Sequence, residues 1–343
     1  MTADQGTSPD LRDADADGAA WRAEGAVAEP SEERFARVTD ELELCYQTFG
    51  DPQDPAMLLV MGLGGPMTWW DPEFCRRLAE RGYHVIRYDN RDTGRSSRAP
   101  GRVGHRHIVR AFLGRPIEAP YSLVDMAHDG IALLDHLGHR TAHVVGVSMG
   151  GMIAQTMAVH FRDRVASLTS IMSTTGRRTV GWQDPRLAPM MLVQRSSREA
   201  YIQTSVKLWK MIGSPAYPDT AEAVEERAAE TWDRGVSRAG VARQIAAILT
   251  QPDRTRELRT IDVPTLVVHG LADKMVHVSG GRATARAIPG AELLLVPGMG
   301  HDLPAALTDT FVDAIDRTAA RAREVARRQS GRSATSSSSA SAR

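Results

Sequence analysis

The chain has 343 residues, of which 42% are apolar and 24% charged, as in an ordinary water-soluble globular protein. Basic and acidic residues number 42 each, so no excess of one sign favours a nucleic acid or an anionic membrane as partner. The two cysteines, Cys45 and Cys75, have neither CxxC nor metal-ligand spacing. We expect two reduced, buried thiols instead of a disulfide framework or a zinc site.

Both ends of the chain are poor in large apolar residues. Residues 1–35 are rich in Ala, Asp, Glu and Gly, and residues 329–343 form a Ser, Ala and Arg tail, so we expect both to be disordered. The N-terminus lacks the basic and apolar regions of a signal peptide. No run approaches the ~18 apolar residues of a membrane span, and we expect a cytoplasmic protein.

Between these ends, short apolar runs alternate with longer helical patterns. This alternation predicts an α/β core with a mostly parallel sheet and helices on both faces. Ser122 with Asp125 three residues later predicts a capped helix that ends at Gly138. The predicted strands are residues 42–49, 56–61, 83–88, 142–147, 165–172, 264–269 and 292–296. The other predicted helices are residues 73–81, 149–160, a helix that ends near residue 288, and 304–328.

The alternation breaks between residues 176 and 256, where helical patterns at 219–234 and 237–250 follow without a strand. We expect this block to be a cap over the carboxyl edge of the sheet, inserted into a core of residues 36–175 and 257–328. Large apolar side chains in the block suit an adaptable substrate-binding wall, although packing of the cap against itself is the alternative. The candidates for this wall are Trp182, Met190, Met191, Trp209 and Trp232.

The segment Gly146-Val147-Ser148-Met149-Gly150 joins a buried predicted strand to a predicted helix. A serine at such a junction takes a sharp, strained turn, and the flanking glycines leave room for neighbouring chain segments. The turn exposes the hydroxyl at a helix N-terminus, where the helix dipole favours a developing anion. The sequence therefore predicts Ser148 as a nucleophile, with an incidental glycine-flanked junction as the alternative.

A serine nucleophile needs a base and an orienting carboxylate, and behind such a turn they follow in the order acid, then histidine. Asp273 comes just after the strand at 264–269 and His301 just after the strand at 292–296. The rival acid position, after Met172, reads Ser-Thr-Thr. We therefore predict His301 as base and Asp273 as its orienting acid. His269 ends a strand beside the site, and we expect it to shape the substrate pocket, with a direct role left open.

The tetrahedral intermediate of acyl transfer needs backbone N–H donors. Met149, the residue after the nucleophile, supplies one. The run Gly62-Leu63-Gly64-Gly65 follows a buried strand, and its glycines permit close approach of a substrate. We predict the Leu63 N–H as the second donor, with a simple tight turn as the alternative.

Three charged residues near these segments are assigned structural roles. Asp89 and Arg91 lie in a loop after a strand, and we expect them to bond each other or nearby backbone. Asp302 is expected to cap the helix that begins near Pro304. No cluster of His and Asp has ligand spacing, so we predict neither a metal nor a cofactor.

Four segments together resemble the α/β-hydrolase superfamily over about residues 35–320, and within it the actinobacterial group that includes aclacinomycin methylesterase, a polyketide-tailoring carboxylesterase. These segments are residues 61–64 (MGLG), 88–96 (YDNRDTGRS), 146–151 (GVSMGG) and 298–301 (GMGH). The resemblance implies the α/β-hydrolase fold and an esterase. One departure is Met61, which stands where many members carry a histidine, so the side-chain hydrogen bond of that histidine is absent while the backbone donor is retained.

The function expected from these residues is hydrolysis of a carboxylic ester of a small, apolar or aromatic molecule through an acyl-enzyme. The expected partner is this substrate alone, and the oligomeric state is left open. Lactone or C–C bond hydrolysis, perhydrolysis and acyl transfer use the same triad and stay open, as does a non-catalytic ligand-binding protein on the same scaffold. Dehalogenase and the usual epoxide hydrolase chemistries need a carboxylate where this chain has Ser148.

Overall fold

The computed structural model describes residues 29–187 and 197–340, with residues 325–340 by their backbone alone. One eight-stranded sheet forms the centre of the molecule. Its strands are β1 (Arg34–Arg37), β2 (Glu43–Phe49), β3 (Ala56–Val60), β4 (His84–Tyr88), β5 (Ala142–Val147), β6 (Val165–Ile171), β7 (Thr265–Gly270) and β8 (Glu292–Val296). Their order is β1-β2-β4-β3-β5-β6-β7-β8. The pairs β1–β2 and β2–β4 are antiparallel, and all other neighbours are parallel.

The central strands are continuous apolar runs because helices cover both faces of the sheet. Alternate side chains of β3 enter two separate cores: Leu58 and Val60 pack on one face, Met57 and Leu59 on the other. The helices are α1 (Pro72–Glu80), α2 (His105–Phe112), α3 (Leu123–His136), α4 (Met149–His160), α5 (Arg198–Ile212), α6 (Ala221–Gly235), α7 (Arg238–Thr250), α8 (Ser279–Ala287) and α9 (Thr308–Ala340).

Local signals fix several helix starts. The Ser122 hydroxyl accepts from the Asp125 N–H while the Asp125 carboxylate accepts from the Ser122 N–H, which is the predicted capping box of α3. The Ser237 side chain caps α7 in the same position by accepting from the Gly240 N–H. Each cap satisfies a backbone donor that the first turn leaves unpaired.

Helices α5, α6 and α7 lie between β6 and β7, so the predicted helical insertion before the acid-bearing strand is confirmed. The numerical domain boundaries stay predictions. Two of the proposed wall residues, Met190 and Met191, lie outside the described residues.

Two boundaries and one whole helix differ from the expectation. Strand β1 begins at Arg34, inside the segment expected to be disordered, because four residues are too few to display an alternating pattern. Helix α9 continues to Ala340, beyond residue 328. Helix α2 was not predicted, because eight residues are too few to establish a helical periodicity in the sequence.

Cys45 and Cys75 are both buried and unpaired, as predicted. Within the described residues, no helix is long and apolar enough to cross a bilayer. The same part of the chain holds no cluster of three His, Cys, Asp or Glu side chains placed to bind a metal ion.

Candidate active site

Ser148 stands at the junction of β5 and α4 with φ 56° and ψ −118°, a strained conformation for a residue with a side chain. The turn is held by the Ser148 N–H, which donates to Ile171 O over 2.9 Å. A methyl group added at Gly146 would lie 2.1 Å from Gly150 O, and one at Gly150 would lie 2.0 Å from Val60 O. Glycine is therefore required on both sides of the serine.

The structure brings Ser148, His301 and Asp273 into one hydrogen-bonded line. The Ser148 Oγ lies 3.0 Å from His301 Nε2, and His301 Nδ1 lies 2.8 Å from Asp273 Oδ2. An ionised carboxylate only accepts, so Nδ1 carries the proton and Nε2 is left to accept from the serine hydroxyl. This arrangement is able to remove the hydroxyl proton and to stabilise the imidazolium that results.

Asp273 is buried and fully hydrogen-bonded. Its Oδ1 accepts from the N–H groups of Met275 (2.8 Å) and Val276 (2.9 Å) in the loop that follows β7. Burial alone would raise the pKa of this carboxyl, but the neighbouring His301 and His269 rings hold the pKa well below its usual range. Asp273 is therefore ionised at neutral pH.

His269 is not a pocket residue, contrary to the expectation. Its side chain is fully buried behind the acid, with Nε2 2.8 Å from Val276 O and 3.4 Å from Asp273 Oδ2. A carbonyl can only accept, so Nε2 carries the proton. The ring at the end of β7 thus lies against the acid loop and supports Asp273.

The glycine-rich loop after β3 lies directly against the serine. A methyl group at Gly62 would lie 3.2 Å from Ser148 Cβ, and Gly64 has φ 65° in a turn closed by the Gly65 N–H on Gly62 O. Among the described residues, the N–H groups of Leu63 and Met149 have no hydrogen-bond partner. Leu63 follows Gly62, which approaches the serine, and Met149 follows the serine itself, so these two unpaired N–H groups are the candidates for oxyanion donors.

Asp89 and Arg91 do not bond each other, but Asp89 bonds nearby backbone as the expectation allowed, since its carboxylate accepts from the Arg95 N–H over 2.9 Å. Asp89 pairs with Arg234 of the cap over 2.7 Å and accepts from the Met67 N–H, whereas Arg91 pairs with Asp129 of α3 over 2.6 Å. All these side chains are buried, so each charge needs a partner, and the topology supplies partners that are distant in sequence. Their role is structural, as expected.

Asp302 does not cap a helix. Its carboxylate accepts from the Ser214 N–H (3.1 Å) and from the Ser214 hydroxyl, which in turn accepts from the Gly300 N–H over 2.8 Å. The His301 N–H donates to Ile212 O, at the end of α5, over 2.7 Å. The cap therefore holds the histidine loop from above, and Ser214 is a contributor that the sequence analysis missed.

The aromatic residues proposed for the cap are spread over three places. Trp209 packs edge-on against Trp69, 5.5 Å between ring centroids, and Trp69 follows the glycine-rich loop. Trp232 packs against Tyr201 inside the cap. Trp182 is half exposed and stacks on His277. Trp209 is thus linked to the glycine-rich loop through Trp69, an aromatic neighbour that we did not predict and that lies against Gly65.

A mostly parallel sheet with an antiparallel start, a serine on a strained turn after β5, and a helical insertion after β6 together define an α/β hydrolase. The family model described as alpha/beta hydrolase fold matches residues 55–304. The chain belongs to this family, and it is an enzyme of the carboxylesterase-like kind.

Several relatives are hydrolases by name. The chain is 30% identical over 304 residues to rhodomycin D methylesterase from Streptomyces sp. (strain C5), which covers 80% of this chain and 94% of the relative. It is 28% identical to 3-oxoadipate enol-lactonase 2 from Acinetobacter baylyi over 71% of this chain and 80% of the relative. A solved hydrolase structure from Pseudomonas aeruginosa superposes with a TM-score of 0.64 at 26% identity, covering 85% of this chain and 98% of that one.

Proposed function

We propose that the enzyme hydrolyses a carboxylic ester of a small, apolar or aromatic molecule through an acyl-enzyme on Ser148. The observation that carries this proposal is the hydrogen-bonded line from the Ser148 Oγ through His301 to Asp273. An oriented histidine is what turns a serine hydroxyl into a nucleophile at neutral pH.

In the first half of the reaction, His301 Nε2 takes the hydroxyl proton as the Ser148 Oγ attacks the ester carbonyl. The oxyanion that forms is stabilised by the N–H groups of Leu63 and Met149. Collapse of the intermediate breaks the bond to the alcohol, which leaves with the proton from His301 Nε2. Asp273 keeps the imidazole in its orientation and stabilises its positive charge throughout.

In the second half, water gives a proton to His301 Nε2 and attacks the acyl group on Ser148. The second tetrahedral intermediate uses the same two N–H donors. Its collapse releases the carboxylic acid and returns the proton to the Ser148 Oγ. Reactants and products balance with one water per ester and without a cofactor.

The nature of the ester is inferred from the cap and from the relatives. The cap, residues 176–256, brings Trp209 next to Trp69, which follows the glycine-rich loop, and this pair supports an aromatic or apolar substrate. One relative is a methylesterase by name, which supports methyl esters as the first class to test. A second relative is an enol-lactonase by name, and lactone opening is the second candidate because it needs the same steps.

The test combines a covalent probe with a substrate panel. A fluorophosphonate probe should label the wild type and not Ser148→Ala, whereas Ser122→Ala, a serine-to-alanine change at the cap of α3, should label as the wild type does. The panel comprises p-nitrophenyl esters of short and medium acyl chains, aryl methyl esters and a lactone. Equal labelling of Ser148→Ala contradicts the nucleophile. Labelling of the wild type without turnover of any panel member contradicts hydrolysis and favours a ligand-binding protein.

A further inference from the structure

Gln244 lies in the middle of cap helix α7 and is fully buried against the core. Its Oε1 accepts from the Gly64 N–H over 2.9 Å. Its Nε2 donates to Arg91 O over 2.9 Å and to Thr93 Oγ1 over 3.0 Å. One cap side chain thus connects the glycine-rich loop with the charged loop after β4.

These three bonds need a primary amide. An amide accepts at one end and donates twice at the other, whereas a carboxylate cannot donate and an apolar side chain does neither. Any replacement would leave buried backbone groups unpaired, at a cost of roughly 1–3 kcal/mol per group. The fit of Gln244 therefore fixes the separation of the two loops that it joins.

The bond to Gly64 fixes one particular peptide plane. Leu63 and Gly64 are the central residues of the turn that closes between Gly65 N–H and Gly62 O, and Gly64 has φ 65°. The peptide between two such central residues adopts either of two orientations that distinguish turn types. By accepting from the Gly64 N–H, Gln244 selects one orientation of this peptide and with it ψ of Leu63 and φ of Gly64.

The other end of the same loop is also held. Asn90 Nδ2 donates to Met61 O over 2.9 Å, so the Leu63 N–H lies between two fixed points. Helix α7 packs closely on both loops, because a methyl group at Gly64 would lie 3.1 Å from Val241 Cγ2 and one at Gly240 would lie 2.6 Å from Asp92 O. The cap and the oxyanion donor are therefore mechanically connected through Gln244.

We propose that Gln244 is a positioning residue that holds the Leu63 N–H in place for the oxyanion, so that the cap is part of the catalytic framework. This inference rests on the proposed function, since it assigns a task to the same oxyanion site. A misplaced donor weakens the binding of the transition state more than that of the ester.

The test compares three variants of the whole enzyme. Gln244→Met removes the acceptor for Gly64. Thr93→Val removes one partner of the same amide at its other end and leaves the Gly64 bond in place. Gln203→Met is the matched control, because it makes the same glutamine-to-methionine change at an exposed site of α5. Active sites are counted by complete fluorophosphonate labelling, so that kcat refers to folded enzyme.

For Gln244→Met we expect kcat to fall about 10–100-fold, with KM within threefold of wild type. This loss is smaller than the ~10²–10³-fold fall in kcat that follows the complete removal of an oxyanion donor. The affinity for a trifluoromethyl ketone, which forms an oxyanion on the serine, should fall by the same factor as kcat/KM. Thr93→Val and Gln203→Met should keep kcat within threefold. Deuterium exchange of the peptide that contains Gly64 should be faster in Gln244→Met alone.

Two results would overturn the inference. One is a kcat per labelled site within threefold of wild type for Gln244→Met. The other is unchanged deuterium exchange at Gly64, which does not depend on turnover. Failure of the wild type to hydrolyse the substrate panel would instead contradict the proposed function, so the two failures are distinguishable.

Discussion

The cap is attached to the core by a buried ion pair, and Arg243→Met tests its contribution. Arg243 of α7 pairs with Asp92 through two bonds, Nη2 to Oδ1 over 2.6 Å and Nε to Oδ2 over 2.8 Å. The exposed fractions of the two side chains are 6% and 0%. Methionine fills much of the same volume but leaves the carboxylate buried without its cation.

The free energy of unfolding that Arg243→Met should lose depends on which hydrogen-bond partners Asp92 keeps. Removing one member of a buried pair costs about 3–5 kcal/mol. The Tyr121 hydroxyl (2.6 Å) and the Ala99 N–H (3.0 Å) still donate to the carboxylate, which favours the lower end. An unfolding entropy of about 2.1 cal/mol/K per residue over roughly 300 residues gives a total of ~0.6 kcal/mol/K. A loss of ~3 kcal/mol in the free energy of unfolding therefore lowers Tm by about 5 °C.

The loss of stability in Arg243→Met should depend on pH with a definite sign. Burial raises the pKa of Asp92, but hydrogen bonds from Arg243 and Tyr121 outweigh it and keep the folded pKa below the ordinary value of 3.8. A lowered folded pKa contributes stability that is present above the unfolded pKa and is lost as pH falls through the folded pKa. The difference in Tm between wild type and Arg243→Met should therefore be largest near neutrality and should narrow below about pH 4.

The assay is thermal and urea unfolding of four proteins in a double-mutant cycle. Asp92→Asn is the second single variant, because asparagine tolerates the φ of 73° that Asp92 adopts. With Arg243→Met present, Asp92→Asn should cost less than it does in the wild type, with a coupling free energy above ~1 kcal/mol. A drop of less than 1 °C in Arg243→Met, or additive effects of the two substitutions, would refute the reasoning.

Three further substitutions test the site itself. Asp273→Asn should lower kcat by about 10³–10⁴-fold with KM little changed, because asparagine no longer sets the tautomer of His301. Steady-state ester hydrolysis measures kcat and KM, and a loss of kcat under tenfold would contradict the role of Asp273 as orienting acid. Gly62→Ala places a methyl group 3.2 Å from Ser148 Cβ. We expect kcat to fall about tenfold while Tm stays within about 2 °C of wild type. An unchanged kcat would contradict the close approach of Gly62 to the serine. Ser214→Ala removes the acceptor of the Gly300 N–H and should cost roughly 1–3 kcal/mol in urea unfolding, a value near zero being inconsistent with the buried bond.

The fold and the three aligned side chains were predictable because their signals are local. Ser148 follows a buried strand and precedes a helix, and Asp273 and His301 each follow a strand whose apolar run is continuous. Parallel strands present their carboxyl ends at the same edge of the sheet, so position along the chain sufficed to bring the three together. No knowledge of the cap was needed.

Side-chain partners were less predictable because they are set by contacts between distant segments. Asp89 reaches Arg234, 145 residues away, and Gln244 reaches Gly64, 180 residues away. A charged or amide residue on an amphipathic helix gives the same pattern whether it faces solvent or a second segment. The prediction that His269 shapes the substrate pocket was wrong for a related reason. A place at the end of a strand does not determine which side of the acid the side chain will occupy.

The contacts of the cap divide by task. The end of α5 holds the His301 loop through Ile212 and Ser214, Arg234 of α6 holds Asp89, and Gln244 of α7 holds the glycine-rich loop. His301 and the proposed donor Leu63 thus lie on loops that are supported partly by the sheet and partly by the cap. Preorganisation of donors is the main source of transition-state stabilisation in such sites, so in the proposed mechanism we expect the cap to contribute to rate as well as to substrate choice. Cap side chains outside these contacts are the positions at which substrate preference is able to change without displacing the reacting groups.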